Sequence, residues 1–292
     1  MLWQTLQTSV ELGWSFYLPV ILFVLLCALG VPIWASIGAS ATAMIIMSDV
    51  LPMSLLGESL FDGIDAFALT AVPLFILTGD VLVRTGLSRK FLNVAEAMTN
   101  WTRGGFGSAT VLVCGMFSAI SGSDAAGAAA VGRMTIDRLV ESGYPRPYAC
   151  ALVAAGACTG ILIPPSIAYI IIGLVLGISA STLFQAALIP GVLILTSILV
   201  TNIIVNRRMA YENNNQISWG EWLQQLGVAV RDGWYAFLVP GIIFIGIFSG
   251  RFTPTEAGAT AVIVTIIMGF MLGTLKLSDF PSMLISSAKV NG

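Results

Sequence analysis

Two short stretches of the chain hold the residues best suited to chemistry. Ser121-Gly122-Ser123-Asp124 leads into the small-residue run Ala125-Ala126-Gly127-Ala128-Ala129-Ala130, and Thr159-Gly160-Ile161-Leu162-Ile163-Pro164-Pro165-Ser166 follows further along. Serine hydroxyls, a carboxylate and freed peptide carbonyls are hard oxygen donors that suit a small hard cation. Pro164 and Pro165 bring no amide hydrogens, so the carbonyls of Gly160 and Ile161 lose the partners that a continuous helix would give them. Amides at the start of a helix opening after Ser123 would favour an anion. The plainer readings are a Gly/Ser-softened kink with Asp124 as an N-cap, and a proline kink of the kind membrane helices tolerate. Two such breaks close together favour the functional reading. We therefore expect a cation near Ser121, Gly122, Ser123, Asp124, Gly160 and Ile161, and contacts to a bound substrate at Thr159, Pro164, Pro165 and Ser166.

Composition says what must carry these residues. Soluble domains hold roughly 25% charged residues; this chain of 292 residues holds 10%, with 57% hydrophobic residues and a mean hydropathy of +0.92. That excludes a soluble enzyme, a coiled coil and a disordered tail, and marks an all-α polytopic membrane protein. An ionised carboxylate in such a setting costs about 2.5–3.5 kcal/mol at mid-bilayer, which a cation beside Asp124 would offset. The absence of histidine removes imidazole relays, Ser-His dyads, haem ligation and His-metal sites. Cys27, Cys114, Cys150 and Cys158 stand singly in apolar stretches and read as small core residues. Thirteen Lys and Arg against fifteen Asp and Glu leave a charge of −2, so no basic excess points to nucleic acid. No phosphate-binding loop of the G-x-x-x-x-G-K-[ST] type occurs, so the chain does not itself hydrolyse ATP in that way.

Spanning helices need about 20 apolar residues, and candidates fall at 13–29, 32–48, 66–83, 182–206, 233–249 and 255–274. Two stretches do not fit. Residues 104–132 are too long for one crossing and too short for two, and 147–177 as one helix would run roughly 46 Å against a core of about 30 Å. Charge placement decides the first. If residues 104–132 enter and return on one side, twelve of the thirteen basic residues share a face, and the loop from Asp49 to Asp65 opposite is acidic. The positive-inside rule then makes the common face cytoplasmic and puts the N-terminus outside. Each limb of about thirteen residues reaches roughly 20 Å as helix, which sets the Ser121–Asp124 turn near the midplane. The broken span at 147–177 becomes two half-helices with free carbonyls at the junction.

Between the third span and the hairpin, Leu87, Phe91, Val94, Met98 and Trp101 recur at steps of four and three, with polar residues opposite. That pattern predicts an amphipathic helix, at the membrane interface or as a plain surface helix. A second is expected over 219–230, after a polar linker at 212–216. Arg251-Phe252-Thr253-Pro254-Thr255-Glu256 reads as a capped helix start. Self-comparison pairs Pro19-Val20-Ile21-Leu22-Phe23-Val24 with Pro240-Gly241-Ile242-Ile243-Phe244-Ile245, and Gly38-Ala39-Ser40-Ala41 with Gly258-Ala259-Thr260-Ala261. The first copy starts outside and the second inside, the parity of an inverted repeat. The second copy stops short of any counterpart to the hairpin, so the chain is expected to be part of a longer protein.

Ser121-Gly122-Ser123 with its alanine run, Ile163-Pro164-Pro165-Ser166 and Phe252-Thr253-Pro254-Thr255-Glu256-Ala257 together resemble the large membrane subunit of tripartite ATP-independent periplasmic (TRAP) transporters. The resemblance runs in order from about Gly30 to the C-terminus. It implies an inverted-repeat, elevator-type transporter of the bacterial inner membrane with sodium as the coupling ion and no organic cofactor. It also implies a periplasmic substrate-binding protein, a small four-helix membrane subunit, surrounding membrane lipids and carboxylate cargo such as C4-dicarboxylates or sialic acids. Ser121, Gly122 and Ser123 would belong to a sodium site, with the Gly160 to Ser166 break beside it. The chain departs from the family pattern in carrying Gly127 where an acid or threonine is common, and its acid at Asp124. The implied division is scaffold helices at 1–86, an arm helix at 87–103 and a transport-domain part at 104–181. That part holds the re-entrant hairpin 104–145 and the broken helix 147–177. A transmembrane helix with cytoplasmic linker follows at 182–232, and the start of the second, incomplete repeat at 233–292. The competing readings are a channel-like or passive scaffold, which sodium dependence would separate, and an intramembrane protease. The latter lacks both histidine and a second acid facing Asp124. No basic residue falls at the expected midplane to read a cargo carboxylate.

Overall fold

The computed structural model describes residues 14–48, 52–102, 104–212 and 217–291. The placement of the N-terminus, Asp49, Arg103 and most of the 212–216 linker lies outside the described residues. Every regular element among the described residues is helical, which follows from a lipid solvent that cannot satisfy backbone groups. The chain divides into two compact units, residues 1–66 and 67–292.

In the first unit α1 (Trp14–Ala28) packs against α2 (Ile33–Ser48), and α3 (Ser54–Ile64) follows. The turn between α1 and α2 closes on Gly30 at φ +81°, ahead of Pro32. Val24, Leu25, Trp34 and Ile37 are exposed, as suits a lipid-facing surface. Inside α2 the Ser40 hydroxyl donates back to the Ser36 carbonyl at 2.8 Å, so the polar group is met within its own helix. The sequence reading took residues 49–65 as loop. A helix forms there because Leu56, Leu60 and Ile64 repeat at four-residue steps after Pro52.

The second unit runs α4 (Ala71–Arg84), α5 (Leu87–Thr99), α6 (Gly105–Ser121), α7 (Asp124–Glu141), α8 (Arg146–Cys158), α9 (Ile167–Leu176), α10 (Ala180–Met209), α11 (Trp219–Gly233), α12 (Leu238–Phe248), α13 (Pro254–Met271) and α14 (Phe280–Asn291). At its centre α6 is buried along nearly its whole length, touched by α4, α5, α7, α8 and α10. Glycine, alanine and serine dominate α6, which lets five neighbours approach. Its partner limb α7 is longer than the apolar run suggested, because the helix continues through the polar residues Arg133 to Glu141. α5 buries Leu87, Phe91 and Val94 as its stripe requires, and Leu92 and Ala95 as well, since it sits between α6 and α11. Met98 and Trp101 stay half-exposed. Trp101 meets Trp219 and Trp222, joining the end of α5 to the start of α11 at ring separations of 5.7 and 6.2 Å. α13 opens on a capping box in which Glu256 accepts from the Thr253 N–H at 2.8 Å. Of the four cysteines only Cys114 is fully buried; Cys150 and Cys158 lie on outward faces, where an apolar residue meets lipid as readily as core.

A buried polar network fastens the base of the α6–α7 pair to the end of α10. Tyr144 donates to Glu212 at 3.0 Å, Asn206 donates to the Tyr144 hydroxyl, and Tyr148 donates to Asn202 at 3.2 Å. Asn202 in turn donates to the Gly104 carbonyl and the Ser108 hydroxyl. Glu212 also accepts the Phe106 N–H, placing a carboxylate at the N-terminus of α6, where the helix dipole favours it. Burial, then the Glu212 charge, pushes the Tyr144 hydroxyl above its ordinary pKa. A raised folded-state pKa means this stabilisation is complete below the unfolded tyrosine's value and is lost as pH rises through the folded one. Replacing Glu212 with alanine strands the Tyr144 hydroxyl and the Phe106 amide, and is expected to cost about 2–4 kcal/mol. A thermal unfolding midpoint equal to wild type would show that the network holds nothing.

Candidate functional site

The reversal between α6 and α7 takes two residues. Gly122 adopts φ +66° and donates its N–H to the Ser118 carbonyl at 2.8 Å; Ser123 is extended and caps α7, accepting from the Ala126 N–H at 3.4 Å. Glycine is needed at 122 twice over, since a Cβ there would also lie 2.8 Å from the Ile167 side chain. The Ser121 hydroxyl pins the turn from inside, accepting from the Ser123 N–H at 3.4 Å.

The α8–α9 break is irregular from 159 to 166. Leu162 and Ile163 both donate to the Thr159 carbonyl, at 3.1 and 2.9 Å, while no backbone N–H reaches the carbonyls of Gly160 or Ile161. That is the consequence of the two prolines, whose own peptide bond is cis. The Thr159 hydroxyl is satisfied by the Gly156 carbonyl at 2.7 Å.

These two irregular segments meet. A Cβ on Gly160 or on Gly127 would fall on the Ser118 side chain, so α6, α7 and the break converge on one serine. The Asp124 carboxyl lies against the Ile161 amide, and Gly122 against Ile167. On the segments that meet here, Ser118 Oγ, Asp124 Oδ1 and Ser166 Oγ are each buried without a hydrogen-bond partner. Unmet buried polar groups cost about 1–3 kcal/mol each, so each is open to a ligand that accepts lone pairs. Among the described residues no cluster of three or more His, Cys, Asp or Glu side chains exists. A cation here would be held by hydroxyls, one carboxylate and peptide carbonyls.

Gly122, Asp124, Gly160 and Ile161 thus sit at the junction, with Ser121 and Ser123 at the turn beside it. Thr159, Pro164, Pro165 and Ser166 are all buried in the break. Ser118 was missed in the sequence. Its signal was there: it lies three residues before Ser121, one turn back on α6.

Beside the turn opens a cleft of about 200 Å³, lined by Ser121, Ser123, Asp80 of α4, Arg133 of α7, and Ser286 and Ser287 of α14. Arg133 bounds the hairpin's apolar run in the sequence, yet it faces the same cleft as the turn serines. Asp80 is a second acid within a spanning helix, and Arg84 pairs with it at 3.0 Å.

Residues 20–292 match the family described as the tripartite ATP-independent periplasmic transporter, DctM component. Similar proteins include the C4-dicarboxylate TRAP transporter large permease protein DctM of Pseudomonas aeruginosa, 35% identical over 87% of this chain and 59% of the relative. The isethionate TRAP transporter permease protein DctMQ of Oleidesulfovibrio alaskensis is 34% identical over 91% of this chain and 42% of its own length. The sialic acid TRAP transporter large permease protein SiaM of Vibrio cholerae is 31% identical over 86% and 58%. The chain therefore spans about half the length of these relatives. With helices long and apolar enough to cross a bilayer and a family match over nearly all its residues, this multi-pass membrane protein belongs to the DctM component family of TRAP transporters.

Proposed function

We propose that the chain works within a sodium-coupled secondary importer of small organic acids, located in the bacterial inner membrane. The observation that carries this reading is that Ser118 Oγ, beside Gly160 of the break, and Asp124 Oδ1, on the turn that meets Ile161, are buried without a partner. Sodium would bind there with Ser121, Gly122, Ser123, Asp124, the freed carbonyls of Gly160 and Ile161, and Ser118. Thr159, Pro164, Pro165 and Ser166, all buried in the break, would meet the cargo when the turn moves. The hairpin enters and returns on the cytoplasmic side, and the N-terminus lies outside.

In this reading the hairpin at 104–145 and the broken helix at 147–177 belong to the moving part of an elevator. The helices at 1–86 belong to the scaffold, and the arm helix at 87–103 joins the two. The helix and linker at 182–232 lead into a second, inverted copy starting at 233. Two features support that copy. α12 ends on Gly250 at φ +71° before Pro254, much as α1 ends on Gly30 before Pro32, and the matched segments fall on packed helix pairs. A substrate-binding protein would deliver the cargo, and a small membrane subunit would complete the assembly; one relative's name, DctMQ, fits a joined subunit. One monovalent cation moving down 100 mV yields about 2.3 kcal/mol, enough for roughly forty-fold accumulation of an uncharged cargo.

A channel or passive scaffold is the competing reading, and it needs no cation. Uptake of succinate, isethionate or N-acetylneuraminate into proteoliposomes, with the partner proteins present, separates the two. We expect rates at least ten-fold higher in sodium than in potassium at equal ionic strength. Equal rates in the two salts would remove the coupling and leave the passive reading.

A further inference from the structure

We propose that the cleft beside the hairpin turn seats the acid group of the cargo, recognised by the Arg133 guanidinium and the Ser287 hydroxyl. This rests on the transport reading above, but on residues outside the proposed cation junction. The cleft lies among α4, α6, α7 and α14, and its apolar lining includes Ile76, Phe117 and Ala130. A mostly apolar concavity with a few convergent polar groups is the usual form of a small-ligand site.

The charge pattern points to an anion. Arg84, Arg138 and Arg146 each pair with an acid, at Asp80, Glu96 and Asp137. Arg133 lies in the cleft wall with no carboxylate in reach among the described residues. Its Nε donates to the Ala129 carbonyl at 3.0 Å, which lays the side chain along α7 and leaves its terminal nitrogens for a ligand. Asp80 would repel an anion, but Arg84 pairs with it at 3.0 Å and also donates to Ser282. The wall therefore presents the Arg133 charge uncancelled.

Ser287 supplies the second, independent observation. It is only 7% exposed, lines the cleft, and its hydroxyl has no partner. An acid group between Arg133 and Ser287 would accept a forked guanidinium contact and satisfy that hydroxyl. The volume, about 200 Å³, lies below the roughly 300–1,000 Å³ of drug-sized sites. It suits a carboxylic or sulfonic acid of a few carbon atoms. Ser121 and Ser123 end the cleft and also form the turn that borders the cation junction, so ordering the turn around a cation would shape the acid's seat.

The test is thermal unfolding of the purified chain titrated with succinate and with isethionate, each run alongside a sodium titration. We expect stabilisation by one of the two acids. Arg133→Gln should weaken that acid about ten- to hundred-fold, Arg133→Lys should retain part of the affinity, and Ser287→Ala should weaken it several-fold. All three variants should keep the wild-type response to sodium, which also reports that they fold. Equal affinity in Arg133→Gln overturns the inference, as does a wild type indifferent to both acids. Stabilisation by N-acetylneuraminate alone, or by phosphatidylglycerol alone, also overturns it, assigning the cleft to a larger cargo or to lipid. If sodium still stabilises the wild type in those cases, the inference fails and the cation reading stands. A wild type that ignores sodium fails the cation reading instead.

Discussion

Replacing Gly160 with alanine is expected to cost about 2–3 kcal/mol and to abolish the response to sodium. A single methyl placed there falls on the Ser118 side chain and comes within 2.9 Å of the Ser118 Cα and carbonyl carbon. Because the clash is with backbone, no rotamer change relieves it. α6 is enclosed by five helices, so it cannot yield without disturbing its neighbours, and overpacking of this kind costs about 1–3 kcal/mol or more. Any shift of α6 also carries Ser118 and the turn away from the Gly160 and Ile161 carbonyls. Gly220→Ala is the control: it lies in α11 with nothing within 4 Å of its would-be Cβ. It should be neutral or stabilise by about 0.5–1 kcal/mol. Equal unfolding midpoints for the two variants would mean that the break and the hairpin do not touch as described.

Asp124→Asn should separate the carboxylate's charge from its place in the fold. Ser123 caps α7 and Asp124 only opens its first turn, so asparagine gives up a helix-dipole contribution of about 0.3–1 kcal/mol, and insertion and folding should be kept. In potassium the variant should lie within about 1 kcal/mol of wild type, because the lost helix-dipole contribution offsets the relief of burying a charge. Sodium affinity should fall about ten- to hundred-fold, since contacts to a charged oxygen are worth about 1.5–3 kcal/mol. Unchanged affinity would reduce Asp124 to a first-turn acid at the start of α7.

Much of the frame was legible in the residues. Low charge and high hydropathy impose helices in a lipid solvent, and the two prolines dictate where the 147–177 stretch must break. Ser-Gly-Ser ahead of an alanine run marks the reversal because only glycine takes the left-handed turn that Gly122 makes. The family's motif order was readable for the same reason: each motif is a point where backbone geometry leaves little choice of residue. What stayed hidden depends on distance in the chain. Ser118 looks like any small residue in α6 until Gly127 and Gly160 close on it. Arg133 reads as the polar end of an apolar run until α4 and α14 complete a cleft around it. Asn202, Asn206 and Glu212 look like the ordinary polar end of a long helix, and only Tyr144 and the α6 N-terminus show what they bind. Side-chain periodicity reports which face of a helix is apolar; it does not report which helix lies opposite.

The central claim is that unpartnered oxygens at the junction of hairpin and break hold a sodium ion. The most direct measurement is the unfolding midpoint of the purified chain in sodium chloride and in potassium chloride at equal ionic strength, for wild type and Asp124→Asn. A ligand at a hundred times its Kd stabilises by about 2.7 kcal/mol. A sodium-specific rise of that order is expected in the wild type, with its near loss in the variant. Midpoints that coincide in the two salts for the wild type would contradict it.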